Sequence, residues 1–317
     1  MMGIVNKLIN NRFTRRIRPT FDRFAMRYSV TLKLYNKMAN RISNSARHAL
    51  WEQSAKSAVN HSVKFAAQAW QVDDGVVRFQ LPLRNEFAGL DWDAAISTLG
   101  HDVEVKALYR KLVQAALTQG KTLTFVDAGA NYGFHSAYFA ASGCEVYSFE
   151  PNPNCAPHFA ALAKLNGWST QWTTCGLGAH ESQLMLGFPP GEEWFGTCVS
   201  AAQKRADWTY IEVPIKTLDS MTLSERGDIV LKIDTEGFEL PVLRGAVNTV
   251  ATRCSHVIFE SLIKDASRDE IADFFQQNNL PIHTISVNGE LNHPLTKSAF
   301  VDSTETNFCA ARVRLLG

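Results

Sequence analysis

The stretch Phe125-Val126-Asp127-Ala128-Gly129-Ala130-Asn131-Tyr132-Gly133 reads as a buried strand that runs into a glycine-marked loop, with an apolar helix opening at Phe134. A strand, tight loop and helix in this order puts the loop at the carboxyl end of a sheet, where open α/β proteins hold ligands. Gly129 and Gly133 stand four apart and no G-x-G-x-x-G is present, so the loop lacks the spacing of a pyrophosphate cradle. Asp127 alters the expected ligand: a carboxylate at the strand end opposes a diphosphate and attracts a cation. The plainer alternative is a structural turn in which Asp127 caps the helix.

Working outward, the next predicted strand, Glu145 to Phe149, ends in Glu150 about 20 residues on, where an acidic side chain accepts hydrogen bonds from ribose hydroxyls. A nucleoside bearing an amine and a sulfonium, S-adenosylmethionine, satisfies both carboxylates. Thr174-Cys175-Gly176-Leu177 is placed to line the adenine, although Cys175 reads equally well as inert core. A second dense stretch, Lys232-Ile233-Asp234-Thr235-Glu236-Gly237-Phe238-Glu239, closes the strand that begins at Ile229. Three carboxylates and a lysine this close must face solvent, pair, or meet a ligand. Asp234 or Glu236 is the candidate general base, with Lys232 and Glu260, at the end of the neighbouring strand, positioning it. The alternative pairs Lys232 with Glu239 structurally and leaves Gly237 a turn residue. His135, directly after the loop, approaches the ligand or serves as a base, or else is structural, and His101 and His158 offer less. Asp234, Glu236 and Glu260 would suit magnesium or calcium, but no metal is expected.

Short apolar runs at Leu123 to Val126, Glu145 to Phe149, Gln171 to Thr174, Ile229 to Ile233 and Val257 to Phe259 alternate with helical stretches. This predicts a doubly wound α/β fold: a mainly parallel sheet with helices on both faces. Pro241 sits in a first helical turn, and Ser267 with Glu270 predicts a capping box. Residues 65–120 read as a lead-in, with a strand near Val76 to Leu83 and a helix from about Val103 to Leu117. Residues 121–317 read as the catalytic domain, with an inserted hairpin or lid at 184–218 that contains the Pro189-Pro190-Gly191 turn and a strand at Tyr210 to Ile215. Asn288-Gly289 between Ile285-Ser286-Val287 and Glu290-Leu291 predicts a tight hairpin and an antiparallel finish to the sheet.

Charge divides the chain. The net charge is +1, yet residues 1–64 carry thirteen basic and two acidic side chains, so the remainder is acidic. Phe13, Ile17, Phe21, Phe24, Tyr28, Leu32, Tyr35, Met38 and Ile42 recur at helical spacing with arginines mostly off that stripe, and Pro19 kinks or restarts the helix. Residues 12–42 are therefore expected to meet an anionic membrane surface, or to pack on protein. The six cysteines form no C-x-x-C pair, and no apolar run reaches the roughly 20 residues that span a bilayer. A reduced, cytoplasmic setting with peripheral membrane contact fits.

Taken together, Val126 to Gly133, Phe149-Glu150-Pro151, Thr217-Leu218-Asp219, Leu231 to Glu239, Leu243-Arg244-Gly245-Ala246 and Phe259-Glu260 resemble the FkbM-type methyltransferases in order and separation. The resemblance covers roughly residues 100–310. It implies a class I methyltransferase fold with a seven-stranded sheet, and methyl transfer from S-adenosylmethionine to a hydroxyl oxygen of a sugar, glycan or natural product. By likeness, Asp127, Gly129, Asn131 and Glu150 belong to the cofactor site, which Gly133 and Cys175 complete, and Asp234 and Glu236 to the catalytic side. The rivals are a nicotinamide oxidoreductase, disfavoured by Asp127 and the missing glycine spacing, a nucleic-acid methyltransferase using the basic arm, and a silent membrane-bound module. No nucleic acid is expected as a partner, because Asp234-Thr235-Glu236-Gly237 is not the Pro-rich, aromatic-ended loop that often holds a flipped base.

Overall fold

The computed structural model describes residues 69–73, 76–82, 102–189, 196–199 and 204–312. The basic segment 1–64, with its stripe from Phe13 to Ile42, lies outside the described residues. In chain order come β1 (Ala69–Asp73) and β2 (Arg78–Pro82), an antiparallel pair, then α1 (Val103–Thr118), β3 (Leu123–Ala128), α2 (Phe134–Ala141) and β4 (Glu145–Phe149). There follow α3 (Ala156–Asn166), β5 (Gln171–Thr173), β6 (Gly176–Leu177), β7 (Ser182–Phe188), β8 (Thr197–Val199) and β9 (Thr209–Lys216). The last part holds β10 (Asp228–Ile233), α4 (Glu239–Arg244), α5 (Val247–Thr252), β11 (Cys254–Glu260), α6 (Arg268–Gln277), β12 (Ile282–Thr284), α7 (Lys297–Val301) and β13 (Asn307–Ala311).

Seven strands form the main sheet in the order β12-β13-β11-β10-β3-β4-β5. β3, β4, β5, β10 and β11 run parallel, and β13 enters antiparallel between β11 and β12. This is the class I methyltransferase sheet. After β3 the chain builds outward through β4 and β5, then returns to β10 on the other side. The strand order therefore reverses between β3 and β10, which opens a crevice at their carboxyl ends.

The central strands are buried on both faces, which is why they read as continuous apolar runs rather than alternating ones. All six residues of β3 are buried. Its side chains still divide by parity, as a strand demands. Phe125 joins the core that includes Leu108 and Tyr109 of α1 and Phe139 of α2, where its ring stacks on Phe139 at 4.0 Å. Val126 joins the opposite core with Leu231, Leu243 and Val250. Burying each such side chain contributes on the order of 2 kcal/mol.

Differences from the expected elements have local causes. Ser267 has helical backbone angles and makes no side-chain cap; its N–H bonds Asp265 Oδ1 at 2.8 Å, and Glu270 pairs with Arg244, so the capping box does not form. The Asn288-Gly289 turn does form, with Ser286 N donating to Glu290 O, but it carries one bridge, Ile285 to Leu291, and no sheet strands. A Cβ on Gly289 would meet the Ala107 and Leu108 backbone, so the turn docks on α1. The antiparallel strand is β13. The 184–218 insertion is an antiparallel β7–β9 pair in a separate four-stranded sheet, β6-β9-β7-β8, around Leu186, Phe188 and Val213.

The Thr217-Leu218-Asp219 string also has a structural task. Asp219 Oδ1 accepts from Thr249 N and Thr249 Oγ1, and Oδ2 from Asn248 N, so it caps α5 from outside the helix. Asp219→Ala should lower stability in urea unfolding by about 1–2 kcal/mol, whereas Asp219→Asn should recover about half.

Candidate active site

Two loops meet at the crevice. Asp234 N donates to Ala128 O at 3.0 Å, and a Cβ built on Gly129 (φ +81) would stand 1.9 Å from Asp234 O. Gly129 is thus required by contact between the loops after β3 and β10. A Cβ on Gly133 (φ +83) would run into the Phe159 ring. Both glycines were expected as cofactor residues; each makes room for protein.

The loop after β3 has few open donors. Gly129 N and Ala130 N donate to Phe149 O, Asn131 N donates to Glu150 Oε2 and Gly133 N donates to Ala130 O. With those N–H groups engaged, the loop cannot form the backbone nest that cradles phosphate. Glu150 is 8% exposed and is fixed by Asn131 N and Asn152 N, each at 2.8 Å, one per carboxylate oxygen. Each oxygen retains a lone pair for a hydroxyl. Burial raises its pKa to about 7 against those two bonds. Asn131 is exposed in a left-handed conformation (φ 49). Cys175 lies in the apolar core with Val126 and Leu177, so its thiol is core and burial pushes it up to about 11.

Asp127 is wholly buried. Its Oδ2 accepts from Ser136 Oγ at 2.6 Å and its Oδ1 has no hydrogen-bond partner among the described residues. Burial raises its pKa, opposed by His135, the Ser136 bond and Lys232. On the adjacent strand Lys232, paired in register with Asp127, is also wholly buried and donates to Asp234 Oδ2 at 2.8 Å. Burial lowers the lysine pKa, but Asp234, Asp102 and Asp127 outweigh it and hold the ammonium charged. For Asp234 burial acts upward and Lys232 prevails, so the carboxylate titrates below its ordinary value. Glu260 is pushed up to about 8 by burial and by Asp234, which outweigh the field of Lys232.

Glu239 accepts from Thr235 N, Thr235 Oγ1 and Gly237 N through one oxygen, and it does not pair with Lys232. It templates the loop that turns at Glu236 (φ 54) and Gly237 (φ 95), which leaves Glu236 exposed while Asp234 is one-quarter exposed. Two further groups come from outside these motifs. Asp102, at the start of α1, lies 3.4 Å from His135 Nε2, and side-chain atoms of Asp102, His135 and Asp234 lie within 4.8 Å of one another. His135 Nδ1 meets the Tyr109 hydroxyl at 3.0 Å, and Asn307 Nδ2 donates to Asp102 Oδ1 at 3.0 Å. Nothing in the sequence links positions 102, 135 and 307; the topology does.

Residues 127–279 match the methyltransferase FkbM domain. This segment, 153 of the 317 residues, is similar to the FkbM-type methyltransferases. Among solved structures, the FkbM methyltransferase of Methylobacillus flagellatus KT is similar at 15% identity and a TM-score of 0.38, over 60% of this chain and 44% of that one. A SAM-dependent methyltransferase from Agrobacterium tumefaciens is 11% identical with a TM-score of 0.40, covering 78% of this chain and 70% of that chain. Magnesium protoporphyrin IX methyltransferase of Synechocystis PCC 6803, solved with bound SAM, is 11% identical with a TM-score of 0.37, over 70% and 84% of the two chains. No curated protein matches the sequence. Among the described residues, no helix is long and apolar enough to cross a membrane.

The buried ion pair can be tested by stability. Lys232→Met leaves Asp234, Asp102 and Asp127 without their ammonium and should lower stability by about 3–5 kcal/mol. In urea unfolding, adding Asp234→Leu to that variant should recover part of the loss, which gives a double-mutant coupling of about 1 kcal/mol or more.

Proposed function

We propose that this protein transfers a methyl group from S-adenosylmethionine to a hydroxyl oxygen of a sugar, glycan or natural-product acceptor. The observation that carries the reading is the charge of the crevice. Asp127, Asp234, Glu260 and Glu150 line the ends of β3, β10, β11 and β4, while the N–H groups that would hold a diphosphate are spent within the protein. A cationic nucleoside suits that arrangement and a dinucleotide does not. The open, buried Oδ1 of Asp127 and the two-point hold on Glu150 fit the donor's positive charge and its ribose.

The sulfonium donor supplies a methyl group that is already activated. The remaining tasks are to bind, orient and deprotonate the acceptor. Asp234, kept ionised by Lys232 and one-quarter exposed, is the better placed of the two expected bases, and Glu236 stands on the exposed turn beside it. Glu260, protonated below about 8, holds a proton to offer the acceptor oxygen and so positions it. The excess of basic over acidic residues in 1–64, and the stripe within 12–42, support an acceptor presented at an anionic surface.

Two measurements test the donor site. Asp127→Asn keeps the shape and removes the charge, so calorimetry should show S-adenosylmethionine binding weakened about tenfold, roughly 1.4 kcal/mol, and S-adenosylhomocysteine much less affected. Equal losses for the two ligands would contradict a charge role. Glu150 is ionised above about 7 and protonated below it. A carboxylate accepts ribose hydroxyls better than its acid, so the ratio of native to Glu150→Gln affinity for S-adenosylhomocysteine should rise between pH 6 and pH 8. A ratio that stays flat over that range would contradict the ribose role.

A further inference from the structure

We propose that His135 receives and keeps the proton that leaves the acceptor hydroxyl, with Asp102 as the anion that holds it there. The inference rests on the proposed methyl transfer and gives His135, which lies outside the quoted motifs, the task of final proton acceptor.

Charge balance requires a resting place for the proton. In the transfer the acceptor O–H bond breaks and an O–CH3 bond forms, while the carbon–sulfur electron pair returns to sulfur. The donor's positive charge disappears and one proton is left behind. The buried carboxylates of Asp102, Asp127 and Asp234 do not change in number, so a site built to hold a cation before transfer is best satisfied by keeping that proton afterwards. Asp234 is the first stop. It is a poor final one, because the Lys232 ammonium at 2.8 Å disfavours its protonated form.

Geometry supplies that place. His135 is 17% exposed, at the start of α2, and side-chain atoms of His135 and Asp234 lie within 4.8 Å, a gap that one water or a small rotation closes. Tyr109 fixes Nδ1 and Asp102 faces Nε2 at 3.4 Å, so the ring is oriented for an imidazolium–carboxylate pair. Asp102 is itself held by Asn307 Nδ2, which also donates to Glu104 Oε1 at 3.0 Å. The ring itself faces Asp102 and Tyr109 of the α1 region, Asp127 of β3 and Asp234 of β10, and its partner Asp102 lies in the field of Lys106, Lys232 and Glu260 and shares Asn307 with Glu104.

No acceptor is needed for the test, because S-adenosylmethionine and S-adenosylhomocysteine imitate the site before and after the sulfonium charge is lost. Calorimetric titration of each into the full chain, in two buffers of different ionisation enthalpy at pH 7, counts the protons taken up. The expected result is that S-adenosylhomocysteine takes up more protons than S-adenosylmethionine, by up to about one per site. His135→Gln should abolish the difference and Asp102→Asn should shrink it, with both nucleosides still bound. The His135 ring-nitrogen shifts, read by NMR in the two native complexes, give the same answer if either variant fails to fold: imidazolium with the neutral ligand, imidazole with the cationic one. Equal proton counts in the native protein, or a difference that survives His135→Gln, would overturn the inference and put the proton on a carboxylate. Failure of either nucleoside to bind the native protein would instead overturn the donor-site reading, and this inference with it.

Discussion

Carboxylates cannot be buried at the ends of central strands unless something positive stands against them. Here that condition is met by Lys232, whose ammonium is enclosed between β3 and β11 and serves Asp234 directly and Asp127 and Asp102 through its field. The buried Lys106 also lies in the field of Asp102, so two ammonium groups stand against Asp102, Asp127, Asp234, Glu150 and Glu260, and acidic side chains outnumber basic ones in the crevice. Isolated charges in such a place carry desolvation penalties of several kcal/mol each, so the arrangement makes little sense as a device for stability. It makes sense as a socket for a cationic ligand. The approach of the Gly129 and Asp234 backbones locks the two loops into one wall of that socket, and the hold on Glu150 fixes the wall beside it.

The topology makes this concentration of charge possible. β3 and β10 are neighbours in the sheet although about a hundred residues separate them, and the reversal of strand order leaves their carboxyl ends uncovered by a crossover. The ends of the family-matched segment do not bound the site. Asp102 precedes it and Asn307 follows it, and the two side chains meet at 3.0 Å beside His135. The entrance to α1 and the start of β13 are therefore parts of the crevice wall.

The sheet could be read from the residues because buried parallel strands write continuous apolar runs; the expected Glu145 to Phe149 strand is the observed β4, and Gln171 to Thr174 differs from β5 by one residue. The placement of Asp127, Lys232 and Asp234 was legible for the same reason, since each falls at the end of one of two neighbouring apolar strands. Contacts between distant segments were not. His135 offered nothing to distinguish a structural histidine from a working one until Asp102 and Tyr109 were brought to its two nitrogens. The packing need for Gly129 and Gly133 was not legible, because it is set by what approaches each one, here Asp234 and Phe159. The pairing of Glu239 with loop N–H groups rather than with Lys232 likewise depends on a turn that composition does not reveal.

The central claim is that the carboxylate-lined crevice between the ends of β3 and β10 holds the nucleoside. Its most direct test is a crystal structure of the full chain grown with S-adenosylhomocysteine. The account predicts density at the ends of β3 and β10, with both ribose hydroxyls on Glu150 and the sulfur side of the ligand toward Asp127 and Asp234. Density for the nucleoside on another face of the sheet, or with its ribose away from Glu150, would contradict it.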